Sequence, residues 1–387
     1  MKNIDNSTQG VLLNLVRCGI VVETRFHFPE TIDWMGVFEL AQEHGVAAIA
    51  LDGINKQFDK ESIAPNKPPL EILFEWIGLV SQMEAIYAKH EKNMKTLAAW
   101  YRQHNIRMMV LKGYGLSLNY PMPNHRPCGD IDIYLFGEQE KADKLLQEEL
   151  GIKVDKSHHH HTVFSFQGET VENHYDFLNV HVRKSNIPIE KKLKEIAHRT
   201  SKDSKDSYNN QELENERISS VTNTNLTDDT NVFFPSTEFN AIYLLRHCAA
   251  HFASTEMTLR QVLDWGLFME KHHQKINWDT YLPYIKQEGM YRFYNLMGLV
   301  CMRFWGFDAS IFHGLFEDEL LDRFSNEILT PEFKDSENGK LLWSLWVKPR
   351  RWWHNRWKNS LCYPDGAWSE FMYGLWAKIL KPSHFIQ

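Results

Sequence analysis

The chain predicts an α+β fold, a mixed sheet flanked by helices. Three observations carry that expectation: helical periodicity through residue 104, strand patterns at 107–111, 130–136 and 162–177, and helical patterns again from Ser236 past Trp305. Strands gathered in one stretch, with helices before and after, fit α+β better than an alternating βα chain. The regions expected are an N-terminal helical region (1–104), a core (105–200), a polar insertion or linker (201–232) and a C-terminal helical region (233–387).

Thr31 and Asp33 offer an N-cap region, Trp34, Val37, Phe38 and Ala41 follow helical spacing, and Gly45 can end that helix. Leu70 to His104 runs as a long amphipathic pattern with few breakers. Ile106 to Leu111 then reads as a short buried strand, ended by Lys112-Gly113 where a helix-like stretch, Tyr114 to Tyr120, begins. A charged helix is expected over Glu138–Leu150. Gln167-Gly168-Glu169 joins the arms Thr162–Phe166 and Thr170–Phe177 as a hairpin. Ser201 to Asn231 is rich in Ser, Asn, Asp, Lys and Thr without apolar periodicity, as an exposed insertion would be.

The chemistry concentrates in Gly-Asp-Ile-Asp-Ile-Tyr, residues 129–134. On a strand, side chains alternate, so Asp130, Asp132 and Tyr134 share one face and Ile131, Ile133 and Leu135 the other. Paired carboxylates repel unless a cation stands between them, and Mg²⁺, which takes oxygen ligands and substrate phosphates, is the hard cation that suits them. The bland alternative is a solvated acidic edge strand. In the hairpin's second arm Glu172, His174 and Asp176 share a face. Lys112-Gly113, at a strand-to-helix turn, can bring a charge and backbone N–H groups to a phosphate. Arg126, just before the acidic strand, is a candidate phosphate clamp because guanidinium binds phosphate bidentately.

Val-Leu-Lys-Gly followed by Tyr-Pro, then Arg126 and Gly-Asp-Ile-Asp-Ile, and later Val-Glu-Asn-His-Tyr, resemble the uncharacterised nucleotidyltransferase family within the DNA polymerase β-like superfamily. The motifs cover about residues 106–180. A weaker likeness extends to Leu-Leu-Arg-His-Cys-Ala-Ala-His and Leu-Arg-Gln-Val-Leu-Asp-Trp. The resemblance implies a polymerase β-like nucleotidyltransferase core in which Asp130, Asp132 and Glu172 are catalytic and bind two Mg²⁺ (or Mn²⁺) ions. Lys112 and Gly113 would lie near the triphosphate. It further implies transfer of a nucleoside monophosphate from a triphosphate, ATP by default, to an unidentified small-molecule, protein or RNA hydroxyl. A non-catalytic nucleotide-binding or protein-interaction module with the same fold is the competing class. In this sequence Tyr114 follows the glycine where the superfamily usually has Gly or Ser, and a glutamate stands as third acid where aspartate is more usual.

Four consecutive histidines, His158 to His161, would alternate faces on a strand and so fail to converge on a metal; a polar strand start is the expectation, with His174 the better contributor. His247 and His251 lie four apart on a helical stretch without the glutamate of a zinc-protease pattern, and Arg260 and Asp264 are spaced for an intrahelical ion pair. These four are also candidates to line the cleft opposite the acidic strand. Lys348 to Lys358 interleaves basic residues with tryptophans; it either packs on the body or touches an anionic surface.

Composition frames these readings. With 43% hydrophobic residues, 387 residues can bury a sizeable core, and a net charge of −7 argues against nucleic-acid binding over the whole surface. Five scattered cysteines suggest reduced thiols and a cytoplasmic protein, the first ten residues are too polar for a signal peptide's apolar core, and no apolar run reaches membrane-spanning length.

Overall fold

Residues 7–21, 26–58, 66–206, 231–254, 256–333 and 350–365 are described by the computed structural model. Period-2 alternation builds the sheet. Its strands are β1 (Met108–Val110), β2 (Ile131–Tyr134), β3 (Val154–Asp155), β4 (His161–Phe166), β5 (Glu169–His174) and β6 (Val232–Phe233), in the order β3-β4-β5-β2-β1-β6. β2 runs parallel to β5 and antiparallel to β1, and the β4–β5 hairpin is antiparallel. Gln167 (φ 50°) and Gly168 (φ 77°) turn that hairpin, both with the positive φ that a tight two-residue turn matching strand twist demands.

Ile131, Ile133 and Leu135 pack with Met108, Val110 and Val171 in one core, whereas Tyr134 and Phe136 join Met109 and Leu111 in a second. Asp132 therefore stands on the Tyr134 face, as alternation requires. The first core is closed by the C-terminal half of α4 (Leu70–Gln103) and by α6 (Gln139–Leu150), through Met94, Leu97, Tyr101, Ala142 and Leu146. The acid-bearing face is covered by α7 (Asn186–Asp206) and α8 (Thr237–Ser254), through Ile189, Leu193, Phe239 and Tyr243.

The remaining helices are α1 (Thr8–Ile20), α2 (Trp34–Glu43), α3 (Ala47–Gln57), α5 (Lys112–Ser117), α9 (Leu259–His272), α10 (Trp278–Gln287), α11 (Tyr291–Trp305), α12 (Leu321–Leu329) and α13 (Arg356–Cys362). Asp33 caps α2, its Oδ1 accepting from Gly36 N at 3.0 Å, and Gly45 follows the helix with φ 67°. α1 and α3 pack backbone to backbone: a Cβ on Gly53 would stand 2.0 Å from the Leu15 carbonyl oxygen, and one on Gly19 2.2 Å from that of Ile49. These N-terminal helices share one apolar core with α8 to α12, so the helical regions before and after the sheet are packed together rather than apart.

Three expectations change. Residues 201–206 continue α7, Val232–Phe233 pairs with β1 as the edge strand β6, and only 207–230 of the supposed insertion lies outside the described residues. The helix after Lys112 closes at Ser117 rather than Tyr120. In the Trp/Arg-rich segment, Lys358 is buried and donates to Glu327 at 2.6 Å, so it is no surface cation; Trp353 is exposed, and Lys348, Trp368 and Trp376 lie outside the described residues. All five cysteines are free thiols. Among the described residues no helix is long and apolar enough to cross a membrane.

Candidate active site

β1 leads into a strained turn. Lys112 takes φ 35°, a left-handed value that costs a side-chain-bearing residue energy, and Gly113 follows at φ 2°, ψ −95°. The turn carries Lys112 back over β2, where its Nζ donates to Asp132 Oδ1 at 3.0 Å and stands 5.9 Å from the ring centre of Tyr243 on α8. Sequence reasoning placed Lys112 beside a phosphate; the fold makes it first of all the counter-ion of an acid.

Asp132 and Glu172 are Cα partners across the parallel β2–β5 pair. His174, one pleat further along β5, sets Nε2 2.9 Å from Asp132 Oδ1 and 3.4 Å from Glu172 Oε2. Its Nδ1 lies 3.3 Å from the Asp176 carbonyl oxygen, which can only accept, so Nδ1 carries a proton. Burial opposes charge on His174, but its hydrogen bonds to Asp132 and Glu172 outweigh that and raise its pKa. Burial likewise works against Asp132, yet Lys112 and His174 hold its carboxyl well below the usual range. Glu172 is lowered chiefly by its bond to His174.

Asp130, just before β2, is exposed. Its pKa is raised by partial burial and by the Glu172 and Asp132 carboxylates, with Lys112 opposing. Here the negative charge outruns its compensation, which is the environment a cation would relieve. Asp132, Glu172 and His174 each offer a ligand atom, and these lie within 4.8 Å of one another. Two carboxylates and one imidazole thus converge, with Asp130 beside the group but not part of it; carboxylate oxygens suit a hard divalent ion. Asp176 does not join them, because β5 ends at His174 and Asp176 pairs with Lys194 instead.

Arg126 corrects the expectation of a phosphate clamp. Its Nε and Nη2 donate to the two oxygens of Asp264 at 2.7 and 2.8 Å, Nη1 donates to the Pro127 carbonyl, and the side chain is buried. The Tyr120 hydroxyl also donates to Asp264. Asp264 thus answers Arg126 rather than Arg260, whose Nη1 donates to the Pro127 carbonyl at 3.3 Å. On the other side His125 lies 2.7 Å from Asp52 and 3.1 Å from Glu84. The loop before β2 is therefore clamped to α3, α4 and α9, which positions Asp130 without lining the cluster.

α8 supplies the wall facing the acids. Tyr243 and His247 lie four apart, with rings 5.9 Å between centres, and His247 meets His251 at 4.6 Å. Burial, then the Lys112 charge, drives the His247 pKa well below its ordinary value. Tyr243 was missed in the sequence, although its i, i+4 spacing to His247 marks the same face.

The histidine run also departs from expectation. Only His161 lies in β4; His158–His160 form a bend, so they do not alternate faces. The rings of His160 and His161 approach His174 at 5.7 and 5.1 Å between centres. Burial, then neighbouring positive charge from His161 and His174, pushes His160 down to about 3, and burial takes His161 to about 4 against the pull of Glu172. Beyond the end of β5, a cavity of about 970 Å³ opens between Asp176, His181, Lys191, Lys194 and Arg199.

Residues 30–306 match the model of a family described as uncharacterised nucleotidyltransferase. No curated protein and no solved structure matches the chain.

Proposed function

The chain belongs to the uncharacterised nucleotidyltransferase family, and on that premise we propose that it transfers a nucleoside monophosphate from a nucleoside triphosphate to a hydroxyl acceptor, releasing pyrophosphate. The observation that carries the reading is the in-register pairing of Asp132 with Glu172, with Asp130 just before the same strand. Carboxylates on adjacent parallel strands, facing one way, also support a polymerase β-like core.

In this reading Asp130, Asp132 and Glu172 hold two Mg²⁺ (or Mn²⁺) ions. Bound there, the ions would activate the acceptor hydroxyl and neutralise charge on the leaving pyrophosphate. The chain's own residues supply position. Lys112 Nζ and His174 Nε2 both meet Asp132 at Oδ1, so Oδ2 is the atom offered to a cation. Lys112, held over β2 by its strained turn, adds a charge where triphosphate oxygens would arrive. The helix α8 excludes water from that side through Tyr243. ATP serves as the reference nucleotide, and the acceptor is a small molecule, a protein or an RNA.

One observation favours a second reading, a non-catalytic nucleotide-binding or interaction module: Lys112 and His174 already neutralise Asp132 without a metal. Incubation with labelled triphosphates, Mg²⁺ or Mn²⁺ and a cell extract separates the two. Label transferred by the wild-type protein and lost in Asp130→Asn/Asp132→Asn supports transfer. Metal-dependent triphosphate binding with no transfer to any species under either metal supports the module.

A further inference from the structure

Three imidazoles meet at the edge of the acid-bearing face, and they come from two directions. His161 opens β4 directly opposite His174 of β5 in the antiparallel pair. His160 arrives from the bend before β4, and backbone bonds fix it there. Its carbonyl accepts from Tyr175 N and Asp176 N, each at 3.0 Å, while the Tyr175 hydroxyl donates to the His158 carbonyl at 3.0 Å. The bend is thereby pinned across the end of β5. One ring nitrogen from each of His160, His161 and His174 lies within 4.8 Å of the others.

Two further observations point to a ligand. The Nδ1 atoms of His160 and His161 are buried without a hydrogen-bond partner, a state that is costly unless something binds them. The Glu172 carboxylate stands between the rings, Oε1 3.8 Å from His161 Nε2 and Oε2 3.4 Å from His174 Nε2. His174 moreover donates Nδ1–H to the Asp176 carbonyl, the outer bond that orients metal-binding histidines, so an ion that takes Nε2 replaces the bond this atom makes to Asp132 Oδ1.

We propose that His160, His161 and His174, with Glu172 as fourth ligand, form a site for a borderline first-row divalent metal of the Zn²⁺ class. Imidazole nitrogen selects such ions over Mg²⁺, which the neighbouring carboxylates suit better. Tetrahedral Zn–N bonds of about 2.0 Å bring ligand nitrogens to about 3.3 Å of one another, so binding closes the rings inward by side-chain rotation. The site shares Glu172 and His174 with the carboxylate group but adds His160 and His161 from outside it, so its existence does not depend on nucleotidyl transfer.

Co²⁺ titration of the full chain, in the absence of Mg²⁺, provides the test. One equivalent is expected to give an intense visible absorption band, the mark of low-coordinate nitrogen ligation. In His160→Ala and in His161→Ala the Co²⁺ dissociation constant is expected to rise at least about tenfold, with Mg²⁺-dependent triphosphate binding unchanged. No band, or a band that survives in both variants and disappears in Asp130→Asn/Asp132→Asn, overturns the proposal. X-ray absorption at the zinc edge of the wild-type protein needs no variant to fold: three imidazole ligands support the site, and fewer overturn it. Co²⁺ bound at the histidines of a protein that binds no triphosphate would support this site while sinking the nucleotidyl-transfer reading.

Discussion

Asp132 on β2 and Glu172 on β5 are Cα partners across a parallel strand pair, with His174 within 3.4 Å of both carboxylates. Register, not sequence proximity, makes them one group. Replacing Asp132 by Asn removes the charge at the centre of that group and leaves Lys112 and His174 facing an amide. Mg²⁺-dependent ATP affinity is expected to fall at least about tenfold, read by calorimetry at constant ionic strength. Unchanged affinity in a folded Asp132→Asn protein would place the nucleotide elsewhere.

The Arg126–Asp264 pair predicts a stability effect rather than a binding one. Both side chains are under a tenth exposed and joined by two hydrogen bonds. Removing the guanidinium leaves a buried carboxylate with the Tyr120 hydroxyl but without its cation, at a cost of about 3–5 kcal/mol. Denaturant unfolding of Arg126→Ala should show that loss, and Arg126→Ala/Asp264→Ala should lose less than the two single changes added. A fully stable Arg126→Ala protein with weakened ATP binding would restore Arg126 as a phosphate clamp.

Glu190 makes stability depend on pH. Burial raises its carboxyl from 4.5 to about 7, against the Phe177 and Leu178 backbone N–H groups that donate to it. Because the folded pKa lies above the unfolded one, the folded state binds more protons between about pH 4.5 and 7, and stability falls as pH rises through that window. The slope from this group is at most about 1.4 kcal/mol per pH unit. Urea midpoints across the window should flatten in Glu190→Gln, and an identical slope in the variant would remove Glu190 as the cause.

Two glycines predict opposite signs. A Cβ at Gly53 meets the Leu15 carbonyl oxygen at 2.0 Å, so Gly53→Ala must push α1 and α3 apart, at about 1–3 kcal/mol or more. A Cβ at Gly78, exposed within α4, meets nothing within 4 Å. Gly78→Ala should stabilise by about 0.5–1 kcal/mol through helix propensity. Thermal melts of the two variants on either side of wild type are the expected result; a shift in the same direction for both would contradict the packing described for α1 and α3.

Local rules carried the reading of Ile131 to Tyr134, though the strand starts after Asp130 and ends before Leu135, and of the hairpin at Gln167-Gly168, because alternation and turn chemistry depend on the dihedrals of adjacent residues. The same rules misread His158–His161. Treating the run as a strand separates its faces, whereas the bend pinned by Tyr175 N and Asp176 N brings His160 to His174. Arg126 was misplaced for a different reason: its partner is 138 residues away on α9, and i, i+4 spacing had offered Arg260 for Asp264 instead.

By itself, the sequence determined that Asp132 stands on a strand face opposite an apolar layer, that a hairpin follows, and that helices lie on either side of the sheet. Those outcomes follow from periodicity, which each short segment carries alone. Tertiary structure decided which charges answer the acids. Lys112 reaches Asp132 only because a left-handed turn folds it over β2, and Glu172 meets Asp132 only in the observed β2–β5 register. Electrostatic compensation falls off over a few ångströms, so distances across the fold, rather than spacings along the chain, set it.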